Sequence, residues 1–168
     1  MKKRELAILC VDDEAEVREA LLRDLAPFEE VFRLEEAGDA GEASDLLLKM
    51  NEEGQTLALI FCDHVMPGES GVDFLIRLAR DPAFRLAKKV LFTGQAGHED
   101  TIHAINRARL DHYVAKPWQK EDLHEATKRL LTDYVIESKI NPLPYMATLD
   151  TSRLATEVGR ADLINDSL

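Results

Sequence analysis

The chain has little of what several large function classes require. It holds two cysteines, Cys10 and Cys62. Both lie inside apolar runs, which favours buried free thiols in a cytoplasmic protein over a disulfide or a metal pair. Basic residues are outnumbered, 21 against 32 acidic ones, for a formal net charge of −11. Nucleic-acid binding needs a basic face. The opening Met1-Lys2-Lys3-Arg4 is too short to supply one, so no nucleic-acid partner is expected. No stretch approaches the roughly 20 apolar residues of a membrane span. The run from Leu6 to Val11 is too short for a signal-peptide core and ends in charges, so no membrane partner is expected either. Internal repeats and low-complexity segments are also missing.

What the chain does have is apolar content, 45% of its 168 residues. That suits one packed core with a short appendage, and the length is too small for two ordinary domains. Leu6 to Val11 reads as a strand buried on both faces, and it stops abruptly at Asp12-Asp13-Glu14. Val17, Leu21, Leu22 and Leu25 then recur at helical spacing until Pro27. Val31 to Glu36 is a weaker strand, with Val31 and Phe32 its best signals. Ala43, Leu46, Leu47 and Met50 predict a second helix, closed near Gly54. Leu57 to Cys62 is the second strong buried strand, and it too stops at an acid, Asp63. Met66-Pro67-Gly68 is a turn. Phe74, Leu75 and Leu78 mark the third helix, and Lys89 to Thr93 the fourth strand. Ile102 and Ile105 mark a fourth helix. Tyr113-Val114-Ala115 is a short fifth strand, and Leu123, Ala126, Leu130, Leu131 and Tyr134 lie on a fifth helix.

Five strand–helix repeats predict an α/β fold with a five-stranded parallel sheet, doubly wound by helices on both faces. The pattern breaks after Glu137. Residues 1–138 are therefore expected to form the main domain, and residues 139–168 a linker with one weak helix.

The acids fall at informative places. Asp12 and Asp13 follow the first buried strand, and Asp63 follows the third. Sites in open parallel sheets form beyond the carboxyl ends of strands, where the winding reverses. If those strands are neighbours, three carboxylates converge. Two like charges about 4 Å apart cost about 4 kcal/mol at an effective dielectric of 20. Such a cluster must bind a cation, meet a lysine or hold a proton. An all-oxygen set with an open side suits Mg²⁺. Lys116 after the fifth strand can supply a positive contact, and Thr93 at the end of the fourth a hydroxyl. Taken alone, Asp12-Asp13 would be an ordinary helix start, Thr93 a helix cap and Tyr113 a common strand aromatic. The scattered His64, His98, His103, His112 and His124 read as surface or rim residues.

Taken in order, Val11-Asp12-Asp13-Glu14, Asp63 with Met66-Pro67-Gly68 and Gly71, Thr93-Gly94, and Tyr113-Val114-Ala115-Lys116-Pro117 closely resemble the response-regulator receiver family of two-component signalling. The resemblance covers residues 5 to 137. Receiver domains, CheY-like and flavodoxin-like in fold, are themselves among the proteins that exemplify the strand-end rule. It implies that Asp63 accepts a phosphoryl group from a sensor histidine kinase or a phosphotransfer protein. It implies that Asp13, Asp63 and the backbone carbonyl of Val65 hold Mg²⁺, with Asp12 acting through metal-bound water. Lys116 would contact the phosphoryl oxygens, Thr93 would move to hydrogen-bond them, and Tyr113 would turn inward as the aromatic switch. Val65 and Gln95 would tune self-hydrolysis. The chain would be a phospho-acceptor rather than an enzyme.

Two other classes fit less well. A phosphatase with an aspartyl nucleophile would need an acid where Val65 stands. A flavin carrier would need a Ser/Thr/Gly-rich loop where Asp12-Asp13-Glu14 would repel phosphate. The segment after Glu137 is too short and too acidic for a DNA-binding domain. Output through a downstream protein target or a homodimer is therefore expected, with the extension either docking near the face of the fourth helix, fifth strand and fifth helix or forming a disordered linker. The alternative is that the chain is the N-terminal receiver of a longer regulator.

Overall fold

A computed structural model describes residues 5–94 and 106–167. Its five strands are β1 (Leu6–Val11), β2 (Arg33–Ala37), β3 (Thr56–Asp63), β4 (Lys88–Thr93) and β5 (His112–Ala115). All pairings are parallel, in the order β2-β1-β3-β4-β5. The two runs with the strongest apolar signal, β1 and β3, sit side by side in the middle. Every residue of β1 is buried, as continuous apolar runs in parallel sheets should be.

Alternation along these strands splits the core into two layers. Ile8 and Cys10 face one side, with Phe61, Val90 and Phe92. Ala7, Leu9 and Val11 face the other, with Ile60, Cys62 and Leu91. On β3 the consecutive Ala58 and Leu59 both join the first layer, because the β1–β3 register slips between Ala7 and Ile8. Helices α1 (Ala15–Leu25) and α4 (Lys120–Glu137) cover the first layer. Helices α2 (Ala40–Glu52) and α3 (Gly71–Arg80) cover the second. The helix expected around Ile102 and Ile105 falls outside the described residues, as do His98 and His103.

Two local readings shift. Val31 and Phe32 precede β2 rather than form it; β2 itself is the charged edge segment Arg33-Leu34-Glu35-Glu36-Ala37. Phe32 is buried for another reason, since its ring packs on Tyr145 at 5.4 Å. Pro27 does not end α1 directly. The helix stops at Leu25, and Pro27 lies in a 3-10 turn, Ala26–Phe28.

The segment after α4 folds back onto the domain. Lys139 takes a left-handed φ of 55°, the usual way a helix end reverses its chain. A 3-10 turn, Leu143–Tyr145, leads to α5 (Thr151–Asn165). Tyr145, Leu149 and Leu154 are buried in the same apolar cluster as Leu6, Ile8, Leu130 and Leu131. The Asp150 N–H donates to Thr132 Oγ1 at 3.2 Å, and Arg153 pairs with Asp133 at 2.6 Å. Tyr145 lies beside Leu6 and Arg33, where β1 and β2 begin. The extension thus packs on α4, the fifth helix of the expected face, but toward the end of the sheet opposite the acids; the fourth helix of that face lies outside the described residues. None of the described helices is long and apolar enough to cross a membrane.

Candidate functional site

The parallel register brings four strand ends to one edge. Val11 pairs with Cys62, Asp63 with Phe92, and Thr93 with Ala115. Asp12 continues from β1, its N–H donating to Ala37 O at 3.2 Å. Lys116 continues from β5, its N–H donating to Thr93 O at 2.9 Å. Asp12 and Asp63 are buried and Asp13 is exposed. Asp12, Asp13 and Asp63 each offer an oxygen, and these oxygens lie within 4.8 Å of one another.

Lys116 closes the cluster. Its Nζ lies 2.6 Å from Asp12 Oδ2 and 3.0 Å from Asp63 Oδ1. A second Asp12 oxygen accepts the Glu14 N–H at 2.9 Å. Burial pushes the Asp63 carboxyl above the usual carboxylate range; Lys116 opposes this, and the charges of Asp12 and Asp13 reinforce it. Burial works against the Lys116 charge, but its hydrogen bonds to Asp12 and Asp63 raise the ammonium above the usual lysine value overall. The site is thus a cluster of three carboxylates, all oxygen in its donors, with the Lys116 ammonium bridging two of them. Such a donor set fits Mg²⁺.

The end of β3 is braced by its neighbours. The His64 N–H donates to Phe92 O at 3.2 Å, and the Gly71 N–H donates to His64 O at 2.9 Å. Ser70 caps α3 by accepting the Asp73 N–H at 3.1 Å. The start of α3 presses on the end of β3 so closely that a Cβ on Gly71 would overlap the Asp63 carbonyl oxygen. The turn between them bends at Gly68, whose φ of 81° suits a residue with no Cβ.

The other expected residues are placed as follows. Thr93 is buried at the end of β4. Val65 stands exposed in the loop after β3. Tyr113 is 42% exposed on β5, beside a groove of about 510 Å³ that also borders Pro117, Leu123 and Arg129. Gln95 falls outside the described residues. Two histidines are not simple rim residues. His124 Nε2 meets the Asp24 carbonyl and its ring abuts Phe28 edge-on. His64 Nδ1 is buried with no hydrogen-bond partner among the described residues.

Two contacts were not legible in the sequence. Arg18 Nη1 donates to the Asp12 carbonyl at 2.7 Å, tying α1 to the acidic loop. Trp118 Nε1 donates to Asp24 Oδ2 at 2.9 Å across 94 positions. Only the adjacency of Trp118 to Lys116-Pro117 could have drawn attention to the second.

The raised Asp63 carboxyl has a consequence for stability. A carboxyl whose folded-state pKa exceeds its unfolded value weakens the fold as pH rises and it ionises. Without metal, Asp63→Asn is expected to be more stable than the parent at neutral pH. The gain should shrink as pH falls through the native titration of Asp63. Urea denaturation at a series of pH values measures this, and a gain that persists unchanged into acid would exclude charge as its cause.

A family model described as the response regulator receiver domain matches residues 8–128. The chain is 36% identical over 135 residues to the hydrogenase transcriptional regulatory protein HoxA of Bradyrhizobium diazoefficiens, covering 79% of this chain and 25% of that protein. It is 30% identical over 128 residues to the phosphate regulon transcriptional regulatory protein PhoB of Escherichia coli, covering 74% and 51%. It therefore spans a quarter to about half of these relatives. Among solved structures, the signal receiver domain of an HD domain-containing protein from Pseudomonas fluorescens Pf-5 matches with a TM-score of 0.71 and 24% identity, over 83% of this chain and 96% of that one. A CheY-like receiver domain protein from Methanospirillum hungatei matches with a TM-score of 0.67 and 27% identity, over 80% and 99%.

Proposed function

Because the chain belongs to the response regulator receiver domain family, we propose that Asp63 is its phosphoryl acceptor in a Mg²⁺-dependent switch. The observation that carries this reading is the placement of Asp63. It is buried at a strand end, 3.0 Å from the Lys116 ammonium, with oxygens of Asp12 and Asp13 close by.

Asp13, Asp63 and the Val65 carbonyl would hold the metal directly, and Asp12 through water. When bound, Mg²⁺ supplies the positive charge that lets an anionic phosphoryl group approach an anionic carboxylate. The rest falls to the chain. An Asp63 oxygen forms the new O–P bond while the donor's bond to phosphorus breaks, and the leaving group keeps that electron pair. Phosphoryl transfer needs in-line positioning and charge neutralisation more than covalent help. Lys116 provides both, moving from a carboxylate oxygen to the phosphoryl oxygens. Thr93 lies at the neighbouring strand end, one residue beyond the β4 partner of Asp63, suited to donate its hydroxyl. Tyr113 starts outward and turns in as Thr93 moves. The chain accepts the group and assists its transfer and loss, without turning over a substrate.

The donor is a sensor histidine kinase or a phosphotransfer protein in the cytoplasm. Residues 1–138 act as the receiver unit and residues 139–168 as its extension. Output is through protein contact, with a downstream target or a second copy. That the chain spans 25% of HoxA supports the reading that it serves as the N-terminal receiver of a longer regulator. Any nucleic-acid contact would then lie in another part, since this chain carries a net charge of −11.

Incubation with acetyl phosphate and Mg²⁺ tests the assignment by intact mass. One acid-stable, base-labile phosphoryl group is expected on the parent and none on Asp63→Asn. Continued labelling of that variant would refute it.

A further inference from the structure

The acidic cluster and Lys116 do not end at their own side chains. A line of contacts runs from the Lys116 ammonium to the far end of α1. The ammonium lies 5.1 Å from the centre of the Phe92 ring. Phe92 packs against Trp118, ring centres 4.8 Å apart at 53°. The Trp118 indole N–H donates to the Asp24 carboxylate at 2.9 Å. His124, on α4, meets the Asp24 carbonyl and so pins the same residue from a second element.

Asp24 is oddly placed for a helix residue. It lies in the last turn of α1, where the helix dipole disfavours a carboxylate. Its ionic neighbour Arg23 is 4.0 Å away and mostly exposed, too loose and solvated to contribute much. Local helix chemistry therefore does not account for an acid here. The tertiary contact does, because a charged acceptor strengthens the bond from the indole. The indole in turn can hold a fixed orientation, packed against one aromatic and bonded at its one donor.

Lys116 needs such a setting. A lysine is a point charge on a flexible stem, and two carboxylates compete for this one. The Phe92 face confines the ammonium by cation–π attraction. Phe92 is also the β4 partner of Asp63, so ring and acceptor share one register. Trp118, two residues after Lys116, fixes both the ring and the loop that carries the lysine.

We propose that Asp24 is a positioning residue for Lys116, acting through Trp118 and Phe92. It couples the C-terminal end of α1 to the lysine that serves phosphoryl transfer. This inference rests on the reading of Asp63 as acceptor.

A double-mutant cycle tests it, with acetyl phosphate as donor at saturating Mg²⁺. Asp24→Ala and Trp118→Phe remove the same hydrogen bond from its two ends. Each is expected to lower the maximal labelling rate about fivefold, less than the full worth of one charge-assisted hydrogen bond because the Phe92 ring stays beside Lys116, with the donor concentration for half-maximal rate unchanged. The double variant is expected to be no slower than either single one. Asp24→Asn, which keeps an acceptor oxygen, is expected to recover most of the loss. Hydrogen exchange confirms that each variant is folded, and is expected to rise at residues 116–119 while β1 and β3 stay protected. Single variants that label at the parent rate would overturn the proposal. So would effects that multiply in the double variant, or faster exchange with no change in labelling. A parent that takes no label at all overturns the acceptor assignment and the coupling with it, and this is seen before any variant is compared.

Discussion

Gly71→Ala is expected to destabilise the protein by about 3 kcal/mol, at the severe end of what an added core methyl does, and to reduce labelling of Asp63. A Cβ at this position would lie 1.7 Å from the Asp63 carbonyl oxygen and 2.7 Å from its carbon. It would also lie 3.1 Å from the His64 Cα. All three neighbours are backbone, so no rotamer change relieves the clash. Either α3 lifts from the end of β3 or Asp63 itself moves. Lifting α3 breaks the Gly71 N–H bond to His64 and loosens Phe74 and Leu75, which are fully buried. Moving that residue takes it away from Lys116. Gly159→Ala, on α5 and far from the acids in sequence, is the control, since its Cβ would meet nothing within 4 Å among the described residues. Denaturant midpoints and labelling rates for both variants measure the effect. Parent-like values for Gly71→Ala would mean that the contact between α3 and β3 is looser than its geometry.

Truncation after Ser138 is expected to cost at least about 4 kcal/mol, judged from large-to-small losses at buried sites. Tyr145, Leu149 and Leu154 are 9%, 1% and 0% exposed, and removing them uncovers Phe32, Leu130 and Leu131. Domains of this size are commonly stable by only about 5–15 kcal/mol. The shortened chain is therefore expected to be marginal, with a lower urea midpoint and an exposed apolar face. An unchanged midpoint would show the extension to be a passenger. An association assay on such a truncation would report unfolding before it reported any role of the extension in dimer formation.

The parts of the fold legible in the sequence were those that depend on near neighbours along the chain. Leu6–Val11 and Leu57–Cys62 announce buried strands because a run apolar on both faces suits little else of that length. The acids that end them point to the site for the same reason: a charge after a buried run marks where the strand leaves the core. Phe32 misled because its burial comes from Tyr145, more than 100 residues later. Local pattern cannot distinguish a strand residue from a side chain covered by a distant segment. The place where the extension docks and the Asp24–Trp118 bond escaped on the same ground. Lys116 was legible only as a candidate. Its pairing with Asp12 and Asp63 follows from the register of four strands, which no single segment encodes.

The strand order also bears on how the chain assembles as it is made. β1 comes first and ends near the centre. Each later strand then adds to an edge that already exists: β2 on one side of β1, β3 on the other, β4 on β3 and β5 on β4. No strand has to insert between two that are already paired, so the sheet can grow outward in step with synthesis, which proceeds from the N-terminus. The cluster around Ile8 closes only when Leu149 and Leu154 arrive. The segment after α4 is thus the latch on a core begun by β1, and a nascent chain stalled short of it holds a finished sheet over an unsealed face.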